Sequence, residues 1–180
     1  TNNDGTITSQ VSANQTAGFS IVSYTGTASA ATIGHGLNKK PNMIIVKERT
    51  SPGNSPSNWQ VYHSSLGATK RIQLNLSLPA DTSSSIWNDT EPTSDVFSIK
   101  TSGAMNENGG TYIAYCWAEI EGYSKFGSYI GNGSTDGPFV YCGFKPAWVM
   151  VKRVTTGGNE GWPIFDSSRG PFNPNPKQIY

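Results

Sequence analysis

Glu119 and Glu121 are two positions apart, the spacing that puts two carboxylates on the same face of a β-strand. Glycosidases built on lectin-like sandwiches present their acid and nucleophile this way. The residues that follow, Gly122, Tyr123, Ser124 and Lys125, include no third acid, so the pair reads as solvated carboxylates at a strand end. His63, Ser64 and Ser65 bring a base and two hydroxyls together, but neighbours on a strand point to opposite faces and no nucleophile elbow surrounds either serine. Asp81, Asp89 and Asp95 share one polar stretch and offer oxygen ligands, at a spacing that matches no calcium loop. Cys and His form no zinc pattern, and no glycine-rich phosphate loop leads from strand to helix. The expectation is a non-enzyme with no catalytic residue, cofactor or metal.

Aromatic residues are the remaining chemical resource, with five Trp and eight Tyr. An exposed ring stacked on a sugar, with amide and carboxylate groups bonding its hydroxyls, is a common way for a sandwich to hold a glycan. Trp87, Asn88 and Asp89 lie in a polar stretch and are the expected glycan contacts. Trp59, Trp117, Trp148 and Trp162 sit within apolar runs and are expected in the core. Asn14, Asn75, Asn88 and Asn132 open Asn-x-Ser/Thr triplets, which a chain so rich in Asn, Ser and Thr contains by chance. Cys116 and Cys142 each lie in an apolar run and read as free buried thiols.

These residues must be positioned by strands, and the chain supplies its own template for them. Pro41-Asn42-Met43-Ile44-Ile45-Val46-Lys47 returns as Pro146-Ala147-Trp148-Val149-Met150-Val151-Lys152. Gly18-Phe19-Ser20 matches Gly122-Tyr123-Ser124, and Ser23-Tyr24-Thr25-Gly26 matches Ser128-Tyr129-Ile130-Gly131. Gly36-Leu37 matches Gly143-Phe144, and the segment from Trp59 to Gly67 matches Trp162 to Gly170. Lys70-Arg71-Ile72 has an echo in Lys177-Gln178-Ile179. The offset stays at roughly 104 residues, which predicts an internal duplication.

Residues 1–17 are polar and read as an N-terminal arm or edge strand, residues 18–121 as a first β-sandwich repeat, and residues 122–180 as a second repeat that is incomplete at its C-terminal end. Met43 to Val46 are apolar on both faces, which predicts a central strand covered from both sides. Arg71 to Leu76 alternates, with its leucines expected inward, and residues 79–95 read as a polar connection. Strands are also predicted near Phe19–Tyr24, Thr32–His35, Trp59–His63, Val96–Ile99 and Thr111–Ala118. Ser51 to Pro56 reads as a loop. The fold class is all-β, an antiparallel β-sandwich of jelly-roll or concanavalin/laminin-G-like form. The half-built second repeat needs a cover, supplied by the arm, by a neighbouring subunit or by further chain; one large sandwich holding both repeats is the alternative.

A net charge of +1 and a charged fraction of 14% leave no electrostatic footprint for nucleic acid or an anionic membrane, and neither is an expected partner. No run of about 18 apolar residues occurs, and Thr1 to Gly5 lack the character of a signal peptide, so a soluble chain is expected. Abundant Gly, Ser, Thr and Asn favour strands and turns.

Gly18 to Gly26, Gly34-His35-Gly36-Leu37, Pro41 to Lys47, Tyr112 to Glu119 and Gly137 to Phe144 together resemble an uncharacterised repeat domain of phage tail-fibre and virion structural proteins, of the kind frequent in marine phages. The resemblance runs from about Asp4 to Asn173 and implies a virion or extracellular location, with partners that are copies of the chain or other virion or filament subunits and, as a second possibility, a cell-surface glycan. It supplies no catalytic residues. If function lies in assembly, Trp148, Val149, Met150 and Val151 are the expected contact residues.

Overall fold

Alternation in Phe19–Thr25 buries Ser20, Val22 and Tyr24 on one side and leaves Ile21 and Thr25 exposed on the other, the signature of a strand with one face in a core. In the computed structural model this strand, β2, lies beside β1 (Gln10–Asn14) and β9 (Thr111–Trp117). The sheet continues through β4 (Met43–Thr50), β5 (Gln60–His63), β6 (Lys70–Gln73) and β7 (Asp81–Thr82), in the order β1-β2-β9-β4-β5-β6-β7 with every pairing antiparallel. A second layer consists of β3 (Ala31–Gly34) paired with β8 (Val96–Ile99), joined by the single helical turns α1 (Ser84–Trp87) and α2 (Gly103–Asn106). The structure describes residues 1–53, 57–155, 160–170, 177 and 179. Parts of the expected Ser51–Pro56 loop, together with Gln178 and Tyr180, lie outside them.

The architecture is thus all-β and sandwich-like, and its main core lies between the two layers. Val22, Tyr24, Ile44, Val46, Tyr62 and Cys116 face Ile33, Phe97, Ile99, Met105 and Trp87 across it. Full burial of each large apolar side chain stabilises by about 1.5–3 kcal/mol relative to exposure. Buried Asn106 is fully matched: it donates to Ser29 O and Lys100 O and accepts from the amide of Thr27, so α2 is tied to the loop after β2. Ser20 Oγ, Gln60 Oε1 and Trp87 Nε1, in contrast, are buried without a hydrogen-bond partner among the described residues. Tyr24 and Tyr112 stack at 5.1 Å, and their hydroxyls donate to Met105 O and Gly103 O.

β4 has the expected two-sided cover. Ile44 and Val46 enter the main core, whereas Met43 and Ile45 join Val61 and Ile72 in a smaller cluster on the outer face of the sheet. That cluster is capped from residues 122–180 by Trp162, Met150, Val154 and Phe126. Trp162 Nε1 donates to Gln73 O at 3.1 Å and Lys152 Nζ to Ser77 O at 2.8 Å. Within residues 1–17, Gln10–Asn14 form β1 at the edge of the main sheet, and Ile7 adds a parallel bridge to Ile33.

Three expectations change. β6 ends at Gln73, because the chain turns at Leu74 and Asn75 and the Leu76 amide donates back to Gln73 O, so only Ile72 of the alternating run is fully inside. The stretch 79–95, expected to be a polar connection interrupted at Ile86-Trp87, holds β7 as well, and the interruption itself is the helical turn α1. In the second segment only β10 (Trp148–Met150) and β11 (Ile164–Asp166) form strands among the described residues, and residues 123–130 form none. β10 and β11 pair antiparallel through Trp148↔Asp166, Val149↔Phe165 and Met150↔Ile164, and Ile164 also bridges Ile179.

Candidate functional site

Among the described residues the outer face of the main sheet is covered most fully toward β4, β5 and β6. Toward β2 and β9 the alternate residues Ile21, Tyr115 and Trp117 remain wholly or partly in solvent. Phe19 and Trp117 are register partners with ring centroids 5.2 Å apart, and Tyr115 stacks on Trp117 at 6.2 Å. Gly18, at φ +64°, lets the chain enter β2 against Ala118, where a Cβ would stand 2.3 Å from the carbonyl oxygen. Ala17, Phe19, Trp117, Tyr123 and Ser124 line a surface concavity of about 300 Å³. Such a face can stack on an apolar or sugar surface.

Beside the concavity, β9 stops at Trp117 and the chain turns through Glu121 to Tyr123. Glu119 and Glu121 therefore do not share a strand. Glu119 receives Lys125 Nζ at 2.6 Å and the Phe126 amide at 3.3 Å, and the Lys125 bond is the main reason its carboxyl is held below the usual range.

A second exposed region lies in residues 123–149. Tyr129, Ile130, Phe139, Tyr141 and Trp148 are large and open to solvent, Ile130 to 91%. In β10, Met150 turns toward the outer-face cluster and Val149 to the opposite side, as strand alternation requires. Lys152 lies 5.9 Å over the Trp162 ring, and burial pushes its ammonium pKa down despite the opposing charge of Glu160. Of the expected assembly residues, Trp148 and Val149 are exposed and Met150 and Val151 half-buried.

Trp87 requires a correction. Its ring is 1% exposed, inside the main core and edge-on to Tyr62 at 5.8 Å, so it offers no face to a sugar. Asn88 and Asp89 follow in the left-handed conformation at φ 54° and 48°, which carries the polar pair outward while the ring stays in. Trp148, expected in the core, is 55% exposed. His63 Nδ1 accepts the Ser65 amide at 3.2 Å, and burial pushes its pKa down; the imidazole is thus bonded to backbone rather than to a serine hydroxyl. Asp81 forms a two-point ion pair with Arg71, at 2.9 and 3.0 Å, and Asp95 accepts the Ser94 hydroxyl. Among the described residues no group of three or more His, Cys, Asp or Glu side chains could hold a metal. Cys116 is a free buried thiol pushed up to about 12 by burial, and Cys142 is also free, though only half-buried.

Sequence reasoning passed over Glu91, whose carboxylate gathers Tyr62 OH at 2.6 Å, Lys40 Nζ at 2.9 Å and the Ala68 amide at 2.7 Å. Nothing in its neighbourhood, Thr90-Glu91-Pro92, marks it. It also passed over the Phe19, Tyr115 and Trp117 platform, which the alternation of β9 could have revealed once β2 was known to pair with it.

A family model described as a domain of unknown function, DUF7483, matches residues 1–179. The chain belongs to the DUF7483 family. Neither the curated proteins nor the solved structures contain a significant match. The DUF7483 description names no activity, so function has to be argued from the surfaces above.

Proposed function

We propose that this DUF7483 domain is a non-enzymatic structural and adhesive module of a phage tail fibre or related virion appendage, which assembles with other subunits. The reading includes an internally duplicated, jelly-roll-like sandwich in which the second unit depends on its neighbours. The observation that carries it is the concentration of exposed large apolar side chains, Tyr129, Ile130, Phe139, Tyr141, Trp148 and Val149, on one segment. Scattered exposed apolar residues are ordinary, but so many large ones within residues 129–149 favour a segment that another molecule covers. The virion setting rests on the resemblance of the sequence. Light scattering of the purified chain should give a mass that rises with concentration above 19.3 kDa. Ile130→Glu combined with Phe139→Glu should hold it at the monomer mass. A monomer at every concentration, with no partner subunit bound, would sink the proposal.

A second reading, glycan binding, is favoured by the aromatic concavity at Phe19, Trp117 and Tyr123 rather than by Trp87. A glycan array should then show signal that Trp117→Ala removes. Silence of the array at high protein concentration would dispose of it.

A further inference from the structure

At the far end of the strands that carry the aromatic concavity, the outer face of the main sheet turns polar. Phe19↔Trp117 and Thr25↔Thr111 close the two ends of the β2–β9 pairing, roughly 20 Å apart along the strands. Around the second pair Ser23, Thr25 and Thr111 line another surface concavity, of about 250 Å³. Thr8 and Gln10 join it from the β1 side, where Gln10 is the register partner of Ser23, and Arg49 joins it from β4.

Arg49 reaches the concavity because the ladder shifts beside it. Glu48 pairs with Tyr112 and Thr50 with Thr111, which leaves Arg49 as the extra residue of a bulge. A bulge re-aims the side chain that it frees from the ladder. Glu48, one position earlier, is buried and accepts the Ser57 amide at 3.2 Å, so its carboxylate is engaged elsewhere. Among the described residues the Arg49 guanidinium has no hydrogen bond or ion pair, and the Ser23 and Thr25 hydroxyls have no partner. No carboxylate lines the concavity. It thus offers an unused planar fork of N–H donors and one positive charge, beside hydroxyls that can both donate and accept.

We infer that this concavity binds an acidic saccharide, with its carboxylate or sulfate on Arg49 and its ring hydroxyls on Ser23, Thr25, Thr111 and Gln10. Two oxygens of an oxyanion match the guanidinium fork, and the remaining groups suit hydroxyls. An acidic peptide fits less well, because β2 and β9 are each paired on both sides and leave no backbone edge for an extended chain. A single cation is too little for a nucleic acid backbone. The small volume suits one sugar ring. The inference depends on neither reading above, since it uses no residue of the exposed 129–149 segment or of the Phe19 and Trp117 platform.

The test is an NMR titration of the isotope-labelled chain with glucuronate, a sulfated glucose, methyl glucoside and inorganic sulfate. At least one of the two acidic sugars should give saturable shifts confined to the Arg49 Nε–H and the amides of Ser23, Thr25 and Thr111, and the one that responds fixes the oxyanion. Methyl glucoside and inorganic sulfate should each bind about fivefold more weakly or worse. Arg49→Ala should weaken binding about tenfold or more and Thr25→Val about threefold, while Arg49→Lys, which keeps the charge and loses the fork, should fall between parent and Arg49→Ala. Lys145→Ala removes the same charge at an exposed position elsewhere and should leave binding unchanged. Because Arg49 is exposed and unpaired, its removal should also leave thermal unfolding unchanged, which separates lost binding from lost fold. No saturable shift with either acidic sugar, or equal binding by Arg49→Ala, overturns the inference. Inorganic sulfate binding as tightly as the sugars would overturn the saccharide, and methyl glucoside doing so would overturn the role of the charge. Shifts centred on Trp117 and Tyr123 instead would overturn this site while leaving the second reading standing.

Discussion

β4 and β10 have matching sequences, the same register and the same turn bond, yet Ile44 is fully buried and Val149 is 38% exposed. A hairpin is specified locally, by apolar alternation and by the turn that closes it, so both pairs form. Burial is not local. In the main sheet it depends on β9, which inserts between β2 and β4, and on the second layer, whose Ile33, Phe97 and Ile99 share the core with Ile44. Where no equivalent strand is present, the matching side chains stay in water.

The contrast can be broken most forcefully at the paired positions themselves. Ile44→Ala should cost about 2–5 kcal/mol in urea unfolding, because it opens a cavity in the main core between the two layers, while Val149→Ala should cost less than about 1 kcal/mol. Equal losses would mean that the two hairpins are equivalent after all. A smaller effect separates the glycines that open the two units. Gly18 and Gly122 both have positive φ, at +64° and +74°, but only Gly18 has backbone where a Cβ would go. Gly122→Ala should cost about 1–2 kcal/mol from backbone conformation alone, and Gly18→Ala clearly more, in the same measurement. Similar values for both would show that the contact with Ala118 is readily relaxed.

The smallest effect concerns pH. Burial tends to raise the Glu91 carboxyl, but bonds from Tyr62, Lys40 and Ala68 outweigh it and hold the group below its ordinary value of 4.5. A carboxylate depressed in the folded state contributes stability that is fully present above the unfolded value and is lost as pH falls through the folded one. Glu91→Gln should therefore be less stable than the parent at pH 7, with the gap closing below about pH 4. A gap that persists unchanged to pH 2 would assign the loss to packing.

Much of the main sheet was readable without coordinates. The two-sided apolar run at Met43 to Val46 marked a central strand, whereas the polarity of residues 1–17 left an arm and an edge strand equally open. Trp87 was misjudged because local composition describes only the chain around it. Its burial depends on Tyr62 and on two consecutive left-handed residues that reverse the backbone immediately after the ring. The Glu119 and Glu121 pairing assumed a strand that runs on, whereas the chain turns and Lys125 folds back onto Glu119. Glu91 joins three groups distant in sequence, and long-range convergence of that kind leaves no local pattern. For residues 123–130 the sequence carries the strand pattern of β2, and what is lacking is a partner, which lies outside the pattern itself.

The central place of β9 also sets an order of events during folding. Its pairing with β2 joins residues roughly a hundred positions apart, a closure that is slow compared with forming the β4–β5 hairpin. As the chain leaves the ribosome, β2 and β4 emerge with facing edges and nothing between them until Trp117 is out. Because β9 is the strand that joins β2 to β4, both edges lack their own partner throughout that interval, and exchange between crowded identical chains competes with closure. Timing, as much as final stability, then determines whether each chain closes on its own strand.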